Sequence, residues 1–223
     1  MSLNPFYRVE IMDWIDSVDI FYYINLDHRE DRRQQILSEL SKLGVPSEKI
    51  RRIPGIYTEG FGILGCGLSH KKALEIFLES CNQTCMIFED DFTFTLDTNY
   101  CNYLLKSLFQ SKVDYDLVML AGNIFKDQST SHSFLRKVYD GQTASAFLIT
   151  RSFAPKLVQA LSESTVLLKD WHDKHKEKKH EYCNDIYWKK LQPDSKWYIL
   201  YPRLGIQRES YSDNEQKITN YGV

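Results

Sequence analysis

Short apolar runs alternate with stretches of helical periodicity along the chain. Residues 20–26 (IFYYINL) have the length and composition of a buried strand. The residues that follow carry an apolar face at helical spacing, formed by Ile36, Leu37, Leu40 and Leu43. Asp27 with Glu30 three residues later resembles a capping box, and Gly44 followed by Pro46 ends the predicted helix.

The same alternation continues to the C-terminal part of the chain. Further helices are predicted at residues 68–81, 99–110, 154–161 and 184–191, and further strands at 85–88, 115–121, 144–150 and 197–201. Strands separated by helical stretches predict a mostly parallel central sheet with helices on both faces, an α/β fold. With 223 residues and no Pro/Gly/Ser-rich linker, we expect one domain over 1–223, with 1–18 as an N-terminal extension.

One predicted strand ends in three acidic residues, in the sequence CMIFEDDF (residues 85–92). Adjacent carboxylates repel one another, so this run is either a solvated turn or a site that takes a positive charge. Ligands of open α/β sheets bind beyond the carboxyl ends of strands, which favours the second reading. Glu89 and Asp91 project to the same side, and such oxygen ligands suit Mg²⁺ or Mn²⁺ together with phosphate oxygens.

Composition and charge exclude several classes of function. The net charge of −2 gives no global field for nucleic acid or an anionic membrane. Five cysteines without a C-x-x-C pair argue against a disulfide framework and a structural zinc site. The first 19 residues contain neither a signal-peptide pattern nor a membrane-spanning run, so we expect a cytoplasmic protein.

Three other polar segments each have a structural and a functional reading. The glycine-rich residues 60–70 lack the spacing of a dinucleotide-binding or Walker motif. In the functional interpretation, they place a helix N-terminus next to the phosphates of a ligand. In the structural interpretation, they form a loop in which Ser69 caps the following helix and His70 is packed in the core. For residues 25–33, the functional interpretation is that Arg29, Arg32 or Arg33 binds a phosphate. The structural interpretation is that these residues form a solvated first helical turn. Residues 170–182 carry three histidines but no cysteine, which favours a mobile mixed-charge loop, compatible with a lid, over zinc.

Taken together, these segments resemble glycosyltransferase family 25, the family of lipopolysaccharide-type sugar transferases and procollagen galactosyltransferases. The matching pieces follow the family's order and span nearly the whole chain: YYINLDHREDRR, GCGLSHKKALEIF, MIFEDDF, YDLVMLAG, TASAFLITRSFAPKL, NDIYWKKLQ and YPRLGIQRESYSD. The resemblance implies a GT-A-like (Rossmann-like) domain and a UDP-sugar donor. It also implies a Mn²⁺ or Mg²⁺ ion and inversion at the anomeric carbon, with a glycan or protein-linked acceptor.

Carried over residue by residue, the resemblance also implies roles for individual side chains. Glu89 and Asp91 correspond to the metal ligands, and Asp185, in the helix containing DIYW, to the general base. The positions that match the nucleotide-sugar site are Asn25, Leu26, Arg29, Ser69, His70 and Asp90. Ser212 and Asp213 match a closing S-D pair without an assigned role. Asp116, at the start of its strand, ranks below Asp185 because it would lie at the opposite edge of the sheet.

Three functions are consistent with these residues. The first is a metal-dependent inverting glycosyltransferase that moves a hexose to a hydroxyl group. The second is another metal-dependent nucleotidyl- or phosphoryl-transfer enzyme, which would need more carboxylates converging on two cations. The third is a non-catalytic glycan-binding module on the same fold, using the many aromatic side chains.

Overall fold

The computed structural model describes residues 13–212 and 217–219, with side chains described as far as residue 209. The strands are β1 (Ile20–Asn25), β2 (Ile50–Pro54), β3 (Thr84–Glu89), β4 (Phe92–Phe94), β5 (Leu117–Met119), β6 (Asn123–Ser129), β7 (Leu135–Gln142), β8 (Ala146–Thr150), β9 (Trp197–Leu200), β10 (Gly205–Gln207), β11 (Ser210–Ser212) and β12 (Lys217–Thr219). The α-helices are α1 (Glu30–Lys42), α2 (Gly62–Glu79), α3 (Thr98–Gln110), α4 (Ala154–His175) and α5 (Asn184–Tyr187).

Eight strands form the central sheet, in the order β2-β1-β3-β8-β5-β9-β7-β6. β1 is parallel to β2 and β3, and β5 is parallel to β9, whereas β8 and β7 are antiparallel to both of their neighbours. All the other strands of this sheet therefore run in one direction, and the predicted mostly parallel sheet is confirmed. The strands β2, β6 and β7 were not predicted.

Helices cover both faces of the sheet, as predicted. Successive residues of β1 enter different apolar layers, with Phe21 on one side and Tyr22 on the other. The first layer packs against α1 and α3, through Ile36, Leu40, Leu104 and Leu105. The second packs against α2 and α4, through Leu74, Phe77, Leu157 and Leu161. A strand covered on both sides reads as a continuous apolar run, which explains the strand signal at residues 20–26.

Helix α2 begins six residues before its predicted start and includes most of the glycine-rich segment. The glycines serve close packing here. A Cβ atom on Gly65 would lie 2.2 Å from the Ile56 carbonyl oxygen, and one on Gly67 would lie 3.0 Å from Thr165 Cγ2 of α4. Ser69 therefore lies inside the helix, and the alternative in which it caps the helix is wrong.

The predicted capping box of α1 is also wrong. Arg29 occupies the N-cap position without a side-chain cap, and Asp27 Oδ1 instead accepts a 2.5 Å hydrogen bond from Arg52 Nη2. The Asp27 side chain is therefore engaged by β2 rather than by the helix. The predicted end is confirmed, since α1 stops at Lys42 and Gly44 follows with φ +87°.

The predicted loop and the predicted N-terminal extension both differ from the structure. Residues 170–175 of the predicted 170–182 loop belong to α4, whose charged side chains lie on an exposed face with an ion pair between Lys169 and Asp173 at 2.6 Å. The predicted N-terminal extension, 1–18, includes core residues, because Trp14 and Val18 are buried against the sheet. Residues 1–12 lie outside the described part of the chain.

Candidate functional site

The carboxyl ends of the neighbouring parallel strands β1 and β3 lie side by side. Ile24 is paired with Glu89 in the parallel register, so Asn25 and Asp90 come next on neighbouring strands. Asn25 Nδ2 donates a 2.7 Å hydrogen bond to Asp90 Oδ2 and a 2.9 Å bond to the Arg29 carbonyl. Both side chains are buried. The structure thus brings the Asn25 segment and the acidic run, far apart in sequence, into direct contact.

Arg32, from the first turn of α1, supplies positive charge to the acidic run. Its Nη1 lies 3.1 Å from Asp90 Oδ1 and 3.0 Å from Asp91 Oδ2, and all three side chains are buried. A guanidinium at this distance favours ionised carboxylates. The sequence suggested Arg32 as a phosphate ligand; in the structure it contacts the two aspartates.

Gln207 joins the two predicted metal ligands. Its Nε2 lies 3.4 Å from Glu89 Oε2 and 3.2 Å from Asp91 Oδ2, so the two carboxylates face one small space. Gln207 ends β10, which pairs with β4, and the next residue, Arg208, donates its backbone N–H to the Asp91 carbonyl at 2.7 Å. The segment 205–208 is thereby fixed against the acidic run.

The negative charge of the acidic run Glu89–Asp91 is only partly compensated. Burial and the neighbouring Glu89 carboxylate raise the pKa of Asp91 to about 7, although Arg32 opposes the shift. Burial also disfavours ionised Glu89, but contacts with His70 and Cys66 outweigh it and lower the pKa of Glu89. Among the described residues, the buried Asp91 Oδ1 has no hydrogen-bond partner. An unpartnered carboxylate oxygen beside a second carboxylate fits Mn²⁺ or Mg²⁺, which take oxygen ligands.

His70 and Cys66 approach Glu89 from α2. They are four residues apart on the helix and therefore lie on one face. His70 Nε2 is 2.9 Å from Glu89 Oε1, and the Cys66 thiol donates to the same oxygen at 3.4 Å. Asn184 Nδ2 approaches Cys66 Sγ at 3.7 Å. His70, predicted to bind the nucleotide sugar, thus contacts a predicted metal ligand.

Ser69 organises the wall of the site. Its hydroxyl donates to the Gly65 carbonyl at 2.6 Å and accepts from the Ile56 N–H at 2.8 Å. This pair of bonds holds the segment after β2 against α2.

Arg29 makes a paired contact with Asp31, from Nε to Oδ1 at 3.0 Å and from Nη2 to Oδ2 at 2.9 Å.

These residues line a first cavity of about 100 Å³. Its walls include every predicted nucleotide-sugar and metal residue, namely Asn25, Leu26, Arg29, Ser69, His70, Glu89, Asp90 and Asp91. A second cavity of about 290 Å³ contains Asp185 and shares Cys66, Glu89 and Gln207 with the first. Glu89 therefore lies where the two cavities meet.

Asp185 is held in place by the backbone of a neighbouring loop. Its Oδ2 accepts a 3.0 Å hydrogen bond from the Thr143 N–H. Burial raises the pKa of Asp185, and the Glu89 charge adds to the rise against the Thr143 hydrogen bond. A carboxylate whose pKa is raised is better suited to accept a proton near neutral pH.

Three further positions from the sequence analysis are Asp116, Ser212 and Asp213. Asp116 precedes β5 at the opposite edge of the sheet, as expected, and its Oδ2 accepts from the Lys196 N–H at 2.8 Å. Ser212 ends β11, and Asp213 lies outside the described residues.

Among the described residues, none of the helices combines the length and apolar composition needed to cross a membrane.

Sequence reasoning missed Gln207 and the contact of Cys66 with the site. Gln207 follows no local pattern, because it reaches the acids through the pairing of β10 with β4. The spacing of Cys66 and His70 carries a signal, but only once the helix is known to include residue 66.

No protein-family model matches the chain, and no curated protein matches it. The chain is similar in structure to A197 from STIV, with 12% identity, a TM-score of 0.44 and coverage of 91% of this chain and 98% of that one. It is also similar to a mannose-1-phosphate geranyltransferase from Thermus thermophilus (10% identity, TM-score 0.47, coverage 86% and 75%). A third similar structure is the glycosyltransferase GlyE in Streptococcus pneumoniae (11% identity, TM-score 0.43, coverage 82% and 45%). All three TM-scores are below 0.5, so the function has to be inferred from the site itself.

Proposed function

We propose that this protein is a metal-dependent inverting glycosyltransferase with a GT-A-like fold, similar to family 25. It moves a hexose from a UDP-sugar to a hydroxyl group of a glycan or a glycosylated protein. One observation carries the proposal: Glu89 lies where the cavity at the ends of β1 and β3 meets the cavity that contains Asp185. This arrangement suits a donor in the first cavity and an acceptor in the second.

Glu89 and Asp91 would hold the divalent cation, Mn²⁺ or Mg²⁺. The unpartnered, buried Asp91 Oδ1 and the excess negative charge of the corner support this role. When bound, the cation supplies Lewis-acid stabilisation of the negative charge that develops on the departing diphosphate. Arg32 holds the two aspartates in place and limits their mutual repulsion without occupying Asp91 Oδ1.

The first cavity would bind the nucleotide part of the donor. Asn25, Leu26 and Arg29 line it from the end of β1, and Ser69 and His70 line it from α2. Asp90 contributes by fixing the Asn25 amide through the 2.7 Å hydrogen bond.

Asp185 would act as the general base. Inversion in a single displacement requires a group that accepts the proton of the acceptor hydroxyl as the oxygen attacks the anomeric carbon. The Thr143 N–H holds Oδ2, so Oδ1 is the oxygen that takes the proton.

A screen of nucleotide sugars with and without Mn²⁺, read as nucleotide release and thermal shift, tests the proposal. We expect a UDP-sugar to stabilise the protein and to turn over only with the metal, and Asp91→Asn to abolish both effects. Asp127→Asn, which alters an ion pair with Arg136 outside both cavities, is the control and should retain both effects. Stabilisation by free glycan regardless of metal would contradict the proposal and favour the glycan-binding module.

A further inference from the structure

The side chains of Cys66, His70 and Glu89 form a compact set of three different metal-binding groups. The sulfur, the imidazole nitrogen and one carboxylate oxygen all lie within 4.8 Å of one another. Zn²⁺ bonds of about 2.0–2.3 Å in tetrahedral geometry place ligand atoms about 3.3–3.7 Å apart. The contacts of Glu89 Oε1 with His70 Nε2 at 2.9 Å and with Cys66 Sγ at 3.4 Å are close to this spacing.

We propose that Cys66, His70 and Glu89 form a Zn²⁺ site, and that Zn²⁺ bound there weakens the oxygen-ligated cation site at Glu89 and Asp91, because the two cations would share the Glu89 carboxylate. The zinc site rests on the geometry of these three side chains alone. The competition rests on the proposed function, because it requires a second cation at Glu89 and Asp91.

The local charges and hydrogen bonds suit a zinc ion. A thiolate, a carboxylate and a neutral imidazole carry two negative charges, which Zn²⁺ neutralises. Without a cation, burial and the nearby Glu89 and Asp185 carboxylates raise the pKa of the Cys66 thiol. A coordinating metal reverses this preference, and the thiol proton leaves to the solvent on binding.

The surroundings hold two of the ligands in position. Asn184 Nδ2 lies 3.7 Å from Cys66 Sγ and can donate to a thiolate. The buried His70 ring stacks on Phe147, with the ring centres 6.0 Å apart and the planes at 24°. Cys66 and Glu89 both line the two cavities, so the fourth position of the ion is open to water. Three protein ligands and one open position are a known coordination pattern for zinc.

The ligand types predict selectivity. A thiolate and an imidazole favour Zn²⁺ over Mn²⁺ and Mg²⁺, and the general order of affinities places Zn²⁺ above Mn²⁺. The Glu89–Asp91 pair offers only oxygen, which suits the harder cations. Zn²⁺ should therefore inhibit transfer by occupying a second set of ligands that shares Glu89 with the Glu89–Asp91 pair.

Cobalt spectroscopy tests the zinc site without measuring activity. We expect the metal-free wild-type protein to bind Co²⁺ with a thiolate-to-cobalt charge-transfer band, and Zn²⁺ to displace the Co²⁺ stoichiometrically. Cys66→Ser should abolish the band, and His70→Gln should weaken Zn²⁺ binding by at least about tenfold, since loss of outer-sphere partners alone costs that much. Cys81→Ser, at an exposed cysteine, is the matched control and should retain both properties.

Asp91→Asn separates the two sites. It should retain Zn²⁺ binding and lose Mn²⁺ binding, which is measured from the free Mn²⁺ signal in electron paramagnetic resonance. Zn²⁺ binding by a wild-type protein that binds no Mn²⁺ would support the zinc site and contradict both the competition and the metal dependence of the proposed function. Circular dichroism establishes that each variant is folded. No charge-transfer band in wild type, or unchanged Zn²⁺ affinity in folded Cys66→Ser and His70→Gln, would overturn the zinc site.

Discussion

Asn25 and Asp90, at the ends of two neighbouring parallel strands, are joined by a 2.7 Å hydrogen bond from Nδ2 to Oδ2. Asn25 Oδ1 accepts from Arg52 Nε of β2 at 2.9 Å. One buried amide thus connects the ends of three adjacent strands, β2, β1 and β3. This connection fixes the acidic run relative to the cavity that we propose for the nucleotide.

Replacing Arg32 with glutamine should destabilise the fold strongly at pH 7.5. Asp90 and Asp91 would lose their guanidinium while remaining buried beside Glu89. Removing one partner of a buried ion pair costs about 3–5 kcal/mol, measured as the free energy of unfolding in urea. Lys169→Gln removes an exposed contact with Asp173 on α4 and should change little. Equal stabilities of the two variants would show that Arg32 does not compensate the aspartates.

The metal-free protein should become less stable as the pH rises from about 4 to about 7, because the buried Asp91 carboxyl group loses its proton. Its pKa is about 7 in the folded chain and 3.8 in the unfolded reference, so the folded state binds the proton more tightly across this window. The free energy of unfolding should fall by on the order of 3 kcal/mol over the window. Asp91→Asn should remove most of this slope, measured by urea unfolding in EDTA.

Asp127→Asn is the control for this pH dependence. The hydrogen bonds from Arg136 lower the pKa of Asp127, so Asp127 contributes stability above its unfolded pKa that is lost as the pH falls. In Asp127→Asn, the free energy of unfolding should therefore still fall as the pH rises towards 7. A pH slope in Asp91→Asn equal to that of wild type would contradict the shifted titration of Asp91.

Asp185→Asn should separate donor binding from transfer. The amide retains an oxygen that can accept from the Thr143 N–H, but it cannot take a proton from the acceptor. We expect kcat to fall about 10²–10⁴-fold, the usual contribution of a general base, with little change in the Kd for the UDP-sugar. Asp116→Asn, at the opposite edge of the sheet, should keep normal transfer. Normal turnover in Asp185→Asn would exclude Asp185 as the base.

Ser69→Ala should loosen the wall of the first cavity. It leaves the Ile56 N–H without its 2.8 Å acceptor, at a cost of about 1–2 kcal/mol in the free energy of unfolding. We expect a higher KM for the donor with a nearly unchanged kcat. Ser162→Ala removes a serine whose hydroxyl bonds only within α4, to the Val158 carbonyl, and is the matched control. A Ser69→Ala variant with wild-type stability and KM would contradict this positioning role.

Much of the fold was predictable because its local signals agree with its burial. β1 and β3 are covered on both faces and therefore read as continuous apolar runs. The start of α2 was not predictable, since its glycines look like a loop until the carbonyl of Ile56 is known to pass 2.2 Å from a potential Cβ. The reversed direction of β7 and β8 depends on long-range pairing and has no local pattern.

The acidic part of the site was predictable because it follows one strand end. The alternation of side chains predicted that Glu89 and Asp91 would face the same space, where both contact Gln207. Gln207 itself was not predictable, since it arrives from a strand more than 100 residues later in the chain. Arg32 stood out as basic, but its burial against Asp90 and Asp91 requires the packing of α1 on β3.

The most direct test is the anomalous diffraction of crystals grown with Mn²⁺ and UDP. The account predicts a manganese peak within bonding distance of carboxylate oxygens of Glu89 and Asp91, bridged to diphosphate oxygens, with the uridine beside Asn25 and Leu26. A manganese ion and UDP bound away from this corner, or UDP bound there with no metal between it and the carboxylates, would contradict it.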